Sequence, residues 1–387
     1  MKHPWRTILP HRGMIKHMDA TSVHTNHNYI KQMKVTLKDI ATTTGFSIST
    51  VSRALRGEGR ISEEHRHRIL AKAHDMGYEL PTGRRNVPAD QPPYIALITQ
   101  FETGEFYSSF FEGFVNAALD QKVQISLFSV SNDYNQVDTL INNLRALGYA
   151  AAVIFVPELK EKQYRRILHA IPKDFPVISC SNINNPVLDT VTFDAYRGAS
   201  LVAEHFHNEG YAKLGMIEGP QEKPEARFRT NGFVDMTKIK PGSTVTWSYT
   251  GDYTHESGIK AYKAFKKLTE HPRAVFAAND AMAFGFMESA RADGWRFPED
   301  IAIAGYDNLP LCRFHYPQLT SVNTNYTLLA KNTLDNLLAR LGKPTSHQGI
   351  VSLVPISLSI RHSSMNLDRA ETPTPHSQQV VSQELSD

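Results

Sequence analysis

The order of apolar and polar positions predicts an α/β fold for most of the chain. From Tyr94 onward, short runs rich in β-branched residues predict strands, and segments with apolar residues every three or four positions predict helices between them. The predicted strands cover residues 94–98, 124–128, 152–156, 177–179, 190–193, 214–217, 244–249, 274–277 and 301–304, and the clearest helices cover 110–119, 138–147, 196–208, 255–268 and 281–292. Alternating strands and helices are typical of parallel sheets covered on both faces. We therefore expect two doubly wound subdomains, with a ligand-binding cleft at the carboxyl ends of their strands.

The segment 35–80 has a different pattern, because its apolar positions follow the helical period throughout. Residues able to cap a helix precede each of three predicted short helices, and a glycine ends the first one. These residues are Thr36 with Asp39, Gly45, Ser47 and Ser62. Two helices joined by a short glycine turn and supported by a third form the helix-turn-helix plan, whose second helix lies in the major groove of DNA. A generic three-helix bundle with a solvated polar face is the alternative that this pattern leaves open.

The positive charge of the chain is concentrated in and just after this segment. Residues 35–85 contain nine Lys or Arg against six Asp or Glu, a surplus of +3 that equals the net charge of the whole chain. A small basic module beside a neutral remainder suits contact with nucleic acid.

The second predicted helix and the turn before it resemble the headpiece signature of the lactose repressor family of bacterial transcriptional regulators. The signature A-x-x-x-G-x-S-x-x-T-V-S-R is matched by Ala41, Gly45, Ser47, Thr50, Val51, Ser52 and Arg53. Through the order of the later strands, the resemblance extends to about His362. It implies a homodimer that binds double-stranded operator DNA. It also implies a periplasmic-binding-protein-like domain that holds a small effector, usually a sugar, between two subdomains and so controls operator affinity.

The resemblance also assigns roles in DNA binding by position. We expect Ile48, Ser49 and Arg53 to read base edges, and Thr36, Ser47, Thr50 and Ser52 to contact phosphates. The linker 81–93 departs from the family, whose members usually place there a short helix with a leucine that wedges into the minor groove. Here the stretch has no such leucine, and its Pro and Gly residues disfavour a helix. We expect Arg84 and Arg85 to contact DNA from an extended arm instead.

Aromatic and charged residues cluster in loops that follow the predicted strands of the second region. A polar ligand requires an aromatic surface for its apolar face and charged or amide groups for its hydroxyls. The resemblance places the effector contacts at Phe106, Tyr107, Asp194, Arg229, Tyr253, Asn279 and Asp307. Lys223 and Glu225 are unusual in this family's loop, so we expect a ligand with its own polar pattern.

Several of these effector candidates also have a structural alternative. Phe106 fits core packing equally well, and Tyr253 fits an exposed loop aromatic. Arg229 is consistent with a surface ion pair, and Asp307 with a turn cap.

The ends of the chain and its composition complete the domain prediction. Residues 1–34 are polar and His-rich and predict a disordered extension; residues 35–80 form the headpiece, 94–362 the effector-binding and dimerisation domain, and 363–387 a disordered tail. The two cysteines, Cys180 and Cys312, predict reduced thiols. No ligand spacing predicts a metal site or a cofactor, and no apolar run predicts a membrane span. We expect a cytoplasmic protein.

Two other functions are consistent with a doubly wound fold. A sugar-binding protein of the same two-lobed fold without a regulatory role is the main alternative, and the headpiece pattern argues against it. An enzyme such as a dehydrogenase is the second, but no G-x-G-x-x-G follows a predicted strand and no P-loop occurs. We therefore predict a transcriptional regulator that is not an enzyme.

Overall fold

The computed structural model describes residues 35–56, 61–76, 78, 92–100, 104–130, 137–182, 184–343 and 348–366. The chain divides into two compact units, Met1–Gly83 and Arg84–Asp387. The extension predicted at 1–34, almost all of the linker with Arg84 and Arg85, and the tail beyond 366 lie outside the described residues.

The first unit contains the three helices that the sequence predicts. They are α1 (Leu37–Thr44), α2 (Ile48–Arg56) and α3 (Glu63–Asp75). Ile40, Val51 and Ile69, one from each helix, are fully buried and form the centre of a small core. A capping box of Thr36 and Asp39 begins α1, and Gly45 ends it at φ 77°, a left-handed conformation that glycine adopts without strain. Local capping and one apolar stripe per helix thus account for this unit.

The second unit consists of two lobes, each built on a six-stranded sheet. Lobe 1 has the strand order β11-β5-β4-β3-β1-β2. Its strands are β1 (Tyr94–Thr99), β2 (Gln124–Ser129), β3 (Ala151–Phe155), β4 (Val177–Ser179), β5 (Thr190–Phe193) and β11 (Val351–Val354). The helices that cover it are α4 (Glu105–Asp120), α5 (Val137–Ala146), α6 (Glu161–Ala170) and α12 (Tyr326–Leu338). All of its strand pairs are parallel, and β1 and β3 are buried almost throughout, as expected for a sheet covered on both faces.

Lobe 2 repeats this plan with the order β12-β10-β9-β8-β6-β7. Its strands are β6 (Lys213–Glu218), β7 (Thr244–Thr250), β8 (Ala274–Ala277), β9 (Ala302–Asp307), β10 (Thr320–Asn323) and β12 (Ser357–Ser359). Its helices are α7 (Ala195–Asn208), α8 (Pro224–Ile239), α9 (His255–Phe265), α10 (Asp280–Ala292) and the short α11 (Leu311–Phe314). Among the lobe 2 strands in the described part of the chain, only β12 runs antiparallel to its neighbour, β10.

The chain passes between the lobes three times. The passages lie between β5 and α7, between β10 and α12, and between β11 and β12. Asp194 lies at the first passage, and Thr324 and Asn325 lie at the second. The carboxyl ends of the β-strands in both lobes therefore border these passages, and this is where ligands bind in doubly wound sheets.

Two sequence predictions require correction. The three short strands β10, β11 and β12 were not predicted; each has only three or four residues. The boundary of the tail at 363 is also wrong, because Ser363 and Ser364 are fully buried. The Ser363 hydroxyl donates to the Ile303 carbonyl at 2.7 Å, and the Ser364 hydroxyl lies 2.7 Å from His205 Nε2. Polar residues satisfied by a buried network do not look like core residues in a sequence.

The sequence also made predictions about cysteines, membrane spans and metal sites. Cys180 and Cys312 are both buried and unpaired with one another. Among the described residues, no helix is long and apolar enough to cross a membrane, and no group of His, Cys, Asp and Glu is arranged to hold a metal ion.

Candidate functional sites

The second helix of the first unit presents a polar face to solvent. The Ser47 hydroxyl accepts a hydrogen bond from the Thr50 amide at 3.1 Å and so begins α2, while Val51 and Ala54 turn into the core. The opposite side exposes Ser49, Arg53 and Ile48, the last with 49% of its surface accessible. An exposed isoleucine beside a hydroxyl and a guanidinium is suited to contact base edges in a groove.

The remaining DNA-binding candidates of this unit surround that face. The Arg53 Nε donates to the Ser49 carbonyl at 3.3 Å, which keeps the guanidinium along the helix. The Ser47 hydroxyl lies 2.9 Å from that of Ser49 and 2.8 Å from that of Thr50. Ser52 is partly exposed on the same helix, and Thr36 is exposed at the start of α1. The described candidates thus lie on α2 and at the start of α1, whereas Arg84 and Arg85 fall outside the described residues.

A buried ion pair lies at the carboxyl edge of the lobe 2 sheet. Arg229 on α8 and Asp307 at the end of β9 approach to 3.3 Å, and their side chains are only 12% and 6% exposed. The Arg229 guanidinium also donates to the Ala278 carbonyl. It lies 3.7 Å from the Tyr306 ring centre and 5.6 Å from that of Tyr253. The structure therefore brings Arg229, Tyr253 and Asp307 together, and the surface ion pair considered for Arg229 is wrong because its pair with Asp307 is buried.

Burial shifts the ionisation of this ion pair. Burial raises the pKa of Asp307 to about 7, with the nearby Asp280 charge adding to the shift and Arg229 opposing it. Burial alone would lower the pKa of Arg229, but Asp307 and the adjacent tyrosines outweigh it, so this pKa is raised and the guanidinium stays charged. The pair is therefore a permanent cation beside a carboxylate that titrates near neutrality.

Asp280 organises the loop that follows Asp307. Its fully buried carboxylate accepts hydrogen bonds from the Ser321 hydroxyl at 2.6 Å and from the Leu309 amide at 2.9 Å, and Cys312 Sγ lies at 3.1 Å. Burial raises the pKa of Asp280 to about 6, against the lowering effect of these donors. Asp307 and Asn308 have φ values of 110° and 50°, so this anchored loop holds two residues in a conformation that non-glycine residues rarely adopt.

Tyr253 and Asn279 meet beside this pair. The Asn279 amide donates to the Tyr253 carbonyl at 2.8 Å and accepts from the Met282 amide at 3.0 Å, which begins α10. Tyr253 has a φ of 71°, and its ring lies directly over Gly219, where a Cβ would be 2.5 Å from the tyrosine hydroxyl. Glycine at 219 is thus required for the tyrosine to lie flat at the site. Tyr253 is half-buried with its hydroxyl fully buried, so the exposed-loop alternative for it is wrong.

Lobe 1 contributes aromatic side chains to the facing edge. Phe106 and Tyr107 begin α4 and lie 5.7 and 6.3 Å from the Phe155 ring, and Phe106 also lies 5.8 Å from the Tyr326 ring. Phe106 is half-buried against the lobe 1 core, so part of its surface packs as the core alternative expects. Tyr326 connects this cluster to Asp307, whose charge adds to the burial that raises the pKa of the Tyr326 phenol.

Asp194 lies directly after β5, in the loop from which it was proposed, and it also caps a helix. Its carboxylate accepts from the Arg197 amide at 2.9 Å and caps α7 at the first passage between the lobes. The negative charge of Asp194 contributes to the raised pKa of Tyr306, so Asp194 acts electrostatically on the site. Its carboxylate accepts its hydrogen bond from the backbone of α7.

Buried polar atoms without partners gather around this edge. Within the described residues, eleven buried side-chain atoms have no hydrogen-bond partner, and five of them lie around this edge: Arg229 Nε, the hydroxyls of Tyr253, Tyr306 and Tyr326, and Glu158 Oε2. Leaving a buried polar group unpaired costs about 1–3 kcal/mol, so native proteins rarely gather several in one place without a function. The set is what a site for a small hydroxyl-bearing ligand requires.

Sequence reasoning missed part of this site. Tyr306 and Tyr326 received no role; Tyr306 stands one residue before Asp307 in the motif Gly305–Asn308, which was a usable signal, whereas Tyr326 begins a helix after an unpredicted strand. Glu158 also received no role, although it contacts Lys223 at 2.8 Å. Long-range pairs of this kind leave no periodic signal along a sequence.

Comparison with known families decides the assignment of the first unit. A family model described as "Bacterial regulatory proteins, lacI family" matches residues 36–79, and one described as "Periplasmic binding protein-like domain" matches residues 203–364. The chain belongs to the lacI family. It is a DNA-binding transcriptional regulator whose second domain is an effector-binding domain, as its sequence predicts.

Curated relatives of this lacI-family chain agree along most of its length. The ribose operon repressor of Escherichia coli (strain K12) is 25% identical over 323 residues, which cover 83% of this chain and 97% of the relative. The HTH-type transcriptional repressor CytR of the same strain is 28% identical over 302 residues, 76% of this chain and 85% of the relative. These relatives are transcriptional repressors, which confirms that the chain is not an enzyme.

Solved structures confirm the predicted fold. The lac repressor dimer bound to operator and the anti-inducer ONPF has a TM-score of 0.64 at 23% identity, and the match covers 86% of this chain and 100% of that one. The complex of the transcriptional regulator CelR with cellobiose has a TM-score of 0.61 at 21% identity, with coverage of 86% and 100%. The α/β prediction of a helical headpiece followed by two parallel-sheet subdomains is therefore correct.

Proposed function

We propose that this lacI-family regulator is a repressor that binds a pseudo-palindromic operator as a homodimer. A small polar effector of the carbohydrate class binds between lobe 1 and lobe 2 and changes the affinity of the protein for its operator. The observation that carries the effector assignment is the buried Arg229–Asp307 pair, surrounded by unpaired polar atoms and faced by aromatic rings.

The chemistry of the cleft edges supports a carbohydrate. The lobe 2 edge supplies a cation, a carboxylate and an amide, namely Arg229, Asp307 and Asn279, which match the hydroxyls of a sugar. Tyr253, Phe106 and Tyr107 supply ring surfaces for its apolar face. The named ribose operon repressor and the CelR–cellobiose complex agree with this class of ligand.

The surface of α2 supports the DNA-binding half of the proposal. Ile48, Ser49 and Arg53 would reach base edges, since they are exposed on the face opposite the core. The hydroxyls of Thr36, Ser47, Thr50 and Ser52 would contact phosphates, and Arg84 with Arg85 would contact the minor groove or backbone.

Exposed apolar side chains on the second unit support a homodimer. Val115 and Leu119 on α4 are 53% and 73% exposed, Leu127 on β2 is 44% exposed, and Ile239 at the end of α8 is 69% exposed. Large apolar side chains in solvent are typical of association surfaces. A two-fold dimer would present two headpieces to two operator half-sites. Sedimentation of Leu119→Asp should give a monomer, whereas an unchanged dimer would place the interface elsewhere.

Arg53→Ala tests the DNA-binding assignment. Losing a bidentate guanidinium contact to a base should weaken operator binding by about tenfold and relax discrimination at one base position. The measurement is a competition gel shift with operator fragments selected from genomic DNA. Arg296→Ala is the matched control, because it removes an exposed arginine from lobe 2. Full sequence-selective affinity in the Arg53→Ala protein would contradict the proposed reading helix.

A thermal-shift screen tests the effector assignment. Free sugars, sugar phosphates and nucleosides are compared at equal concentration, since a ligand that binds the folded state raises the melting temperature with its occupancy. The same screen with Asn279→Ala and Tyr253→Ala identifies binding at this site, because a shift that survives both substitutions arises elsewhere. If nucleosides alone raise the melting temperature, the carbohydrate class is wrong while the cleft assignment stands.

A further inference from the structure

One ion pair joins the two lobes at the rim of the proposed effector site. Lys223 Nζ, on the residue that begins α8 in lobe 2, lies 2.8 Å from Glu158 Oε1, in the turn after β3 of lobe 1. Each side chain is 25% exposed, so the pair is shielded from solvent far more than a surface ion pair. The contact therefore joins a turn of lobe 1 to the start of a helix in lobe 2.

The same helix start makes a second bridge. Arg227, one turn further along α8, donates through Nη2 to Asn184 Oδ1 at 2.7 Å and through Nη1 to the Gln221 carbonyl at 2.5 Å. Asn184 belongs to lobe 1, in the segment between β4 and β5. Lys223 and Arg227 are four residues apart and therefore lie on one side of the helix. Two polar contacts from one helical turn thus reach across to lobe 1.

The bridging turn also carries the effector-site residues. Arg229 lies two residues after Arg227, and Lys223 Nζ lies 5.9 Å from the Tyr253 ring. The second oxygen of Glu158 is buried without a partner in the described part of the chain. The position of this turn relative to lobe 1 therefore sets how far Arg229 lies from Phe106 and Tyr107.

We propose that Lys223 and Glu158 form a closing pair that holds the lobes together and positions Arg229 against the aromatic edge of lobe 1. They are positioning residues: they act on the effector through the spacing of the lobes. The closing pair itself follows from the fold alone, and only its influence on operator affinity rests on the proposed function.

The test measures the distance between the lobes directly. Spin labels are attached at Lys162→Cys on α6 and Lys263→Cys on α9, both exposed positions, in protein diluted with unlabelled chains. Cys180 and Cys312 are 4% and 0% exposed and stay unlabelled. The distance is compared in the parent, in Glu158→Gln, in Lys223→Met and in the conservative Lys223→Arg.

Loss of either charge should lengthen or broaden the interlobe distance by more than about 2 Å, and Lys223→Arg should keep the parent value. Lys213→Met is the matched control, because Lys213 pairs with Glu270 at 2.6 Å within lobe 2. Circular dichroism confirms folding of each variant. An unchanged distance in both Glu158→Gln and Lys223→Met overturns the closing pair.

Operator binding by the same variants separates the two proposals. If lobe spacing controls the headpieces, Glu158→Gln and Lys223→Met should each change operator affinity by at least about threefold. A changed distance with unchanged operator affinity would uphold the closing pair and contradict effector control through lobe closure. An unchanged distance with normal effector-dependent DNA binding would leave the proposed function intact and remove the closing pair.

Discussion

Lobe 1 and lobe 2 have nearly the same strand plan but different chemistry at their facing edges. Each sheet has six strands. The strand order of lobe 1 matches that of lobe 2 when the strands of each lobe are numbered from its own first strand. The lobe 2 edge holds buried charges, Arg229, Asp307 and Asp280, whereas the lobe 1 edge holds a cluster of aromatic rings around Phe155 and Tyr326.

The difference shows that topology and site chemistry are set separately. The sheets form because β-branched and small apolar residues fill both faces of their central strands. The site residues lie at the ends of the strands and just after them, so one edge can bury charge beside tyrosine rings while the other buries a larger aromatic cluster. A ligand held between the edges meets buried charges beside the Tyr253 ring on the lobe 2 side, and the rings of Phe106 and Tyr107 on the lobe 1 side. The following predictions test this division, from the largest effect to the smallest.

Arg229→Ala should have the largest effect on the lobe 2 edge. It removes the cation from a pair whose carboxylate stays buried, which costs about 3 kcal/mol or more of the free energy of unfolding. Urea unfolding monitored by tryptophan fluorescence measures the loss. Arg296→Ala, which breaks an exposed pair with Asp300, should cost less than about 1 kcal/mol.

A paired substitution sharpens this result. If the loss at position 229 arises from the uncompensated Asp307, then Arg229→Met combined with Asp307→Asn should unfold at a higher urea concentration than Arg229→Met alone. Equal loss in the single and double variants would mean that the lobe 2 edge is stabilised by packing of the Arg229 side chain, as the lobe 1 edge is by its rings.

The free energy of unfolding should depend on pH through Asp280 at the lobe 2 edge, and Asp280→Asn should remove this contribution. The folded-state pKa of Asp280 is raised to about 6, so the protonated form is favoured by folding. This stabilisation is present in full below the ordinary pKa near 3.8 and is lost as the pH rises through about 6. The stability of the parent relative to Asp280→Asn should therefore fall by about 2–3 kcal/mol between pH 4 and pH 7. Unfolding curves across this range measure it; a constant difference would contradict the raised pKa.

Tyr326→Phe and Tyr253→Phe compare the two edges through their unpaired hydroxyls. Both hydroxyls are buried without a partner in the described residues. Removing either should leave the free energy of unfolding of the unliganded protein unchanged or raise it by up to about 1 kcal/mol. Each variant should bind the effector more weakly, since a ligand group that pairs with the hydroxyl loses its partner. A destabilised apo protein would show that the hydroxyl already has a partner.

How far the sequence predicts this molecule depends on the range of the interactions involved. Helix caps such as Thr36 and Ser47 and the apolar period of each strand act over a few residues, so the headpiece and nine of the twelve strands follow from the pattern. The family resemblance then proposes Arg229, Tyr253 and Asp307 as effector contacts, and the structure brings these three residues together. The Glu158–Lys223 contact and the buried Ser363 joined residues tens of positions apart, and polar groups of that kind are indistinguishable from surface residues until the fold brings them together.

The three passages of the chain between the lobes also impose an order on its synthesis. β11 completes the lobe 1 sheet beside β5, and β12 completes the lobe 2 sheet beside β10, so both sheets wait for residues 351–359. The helical unit that carries the DNA-reading face has its own core and emerges from the ribosome about three hundred residues earlier. A nascent chain therefore contains every residue of the first unit's core before either six-stranded sheet has all of its strands.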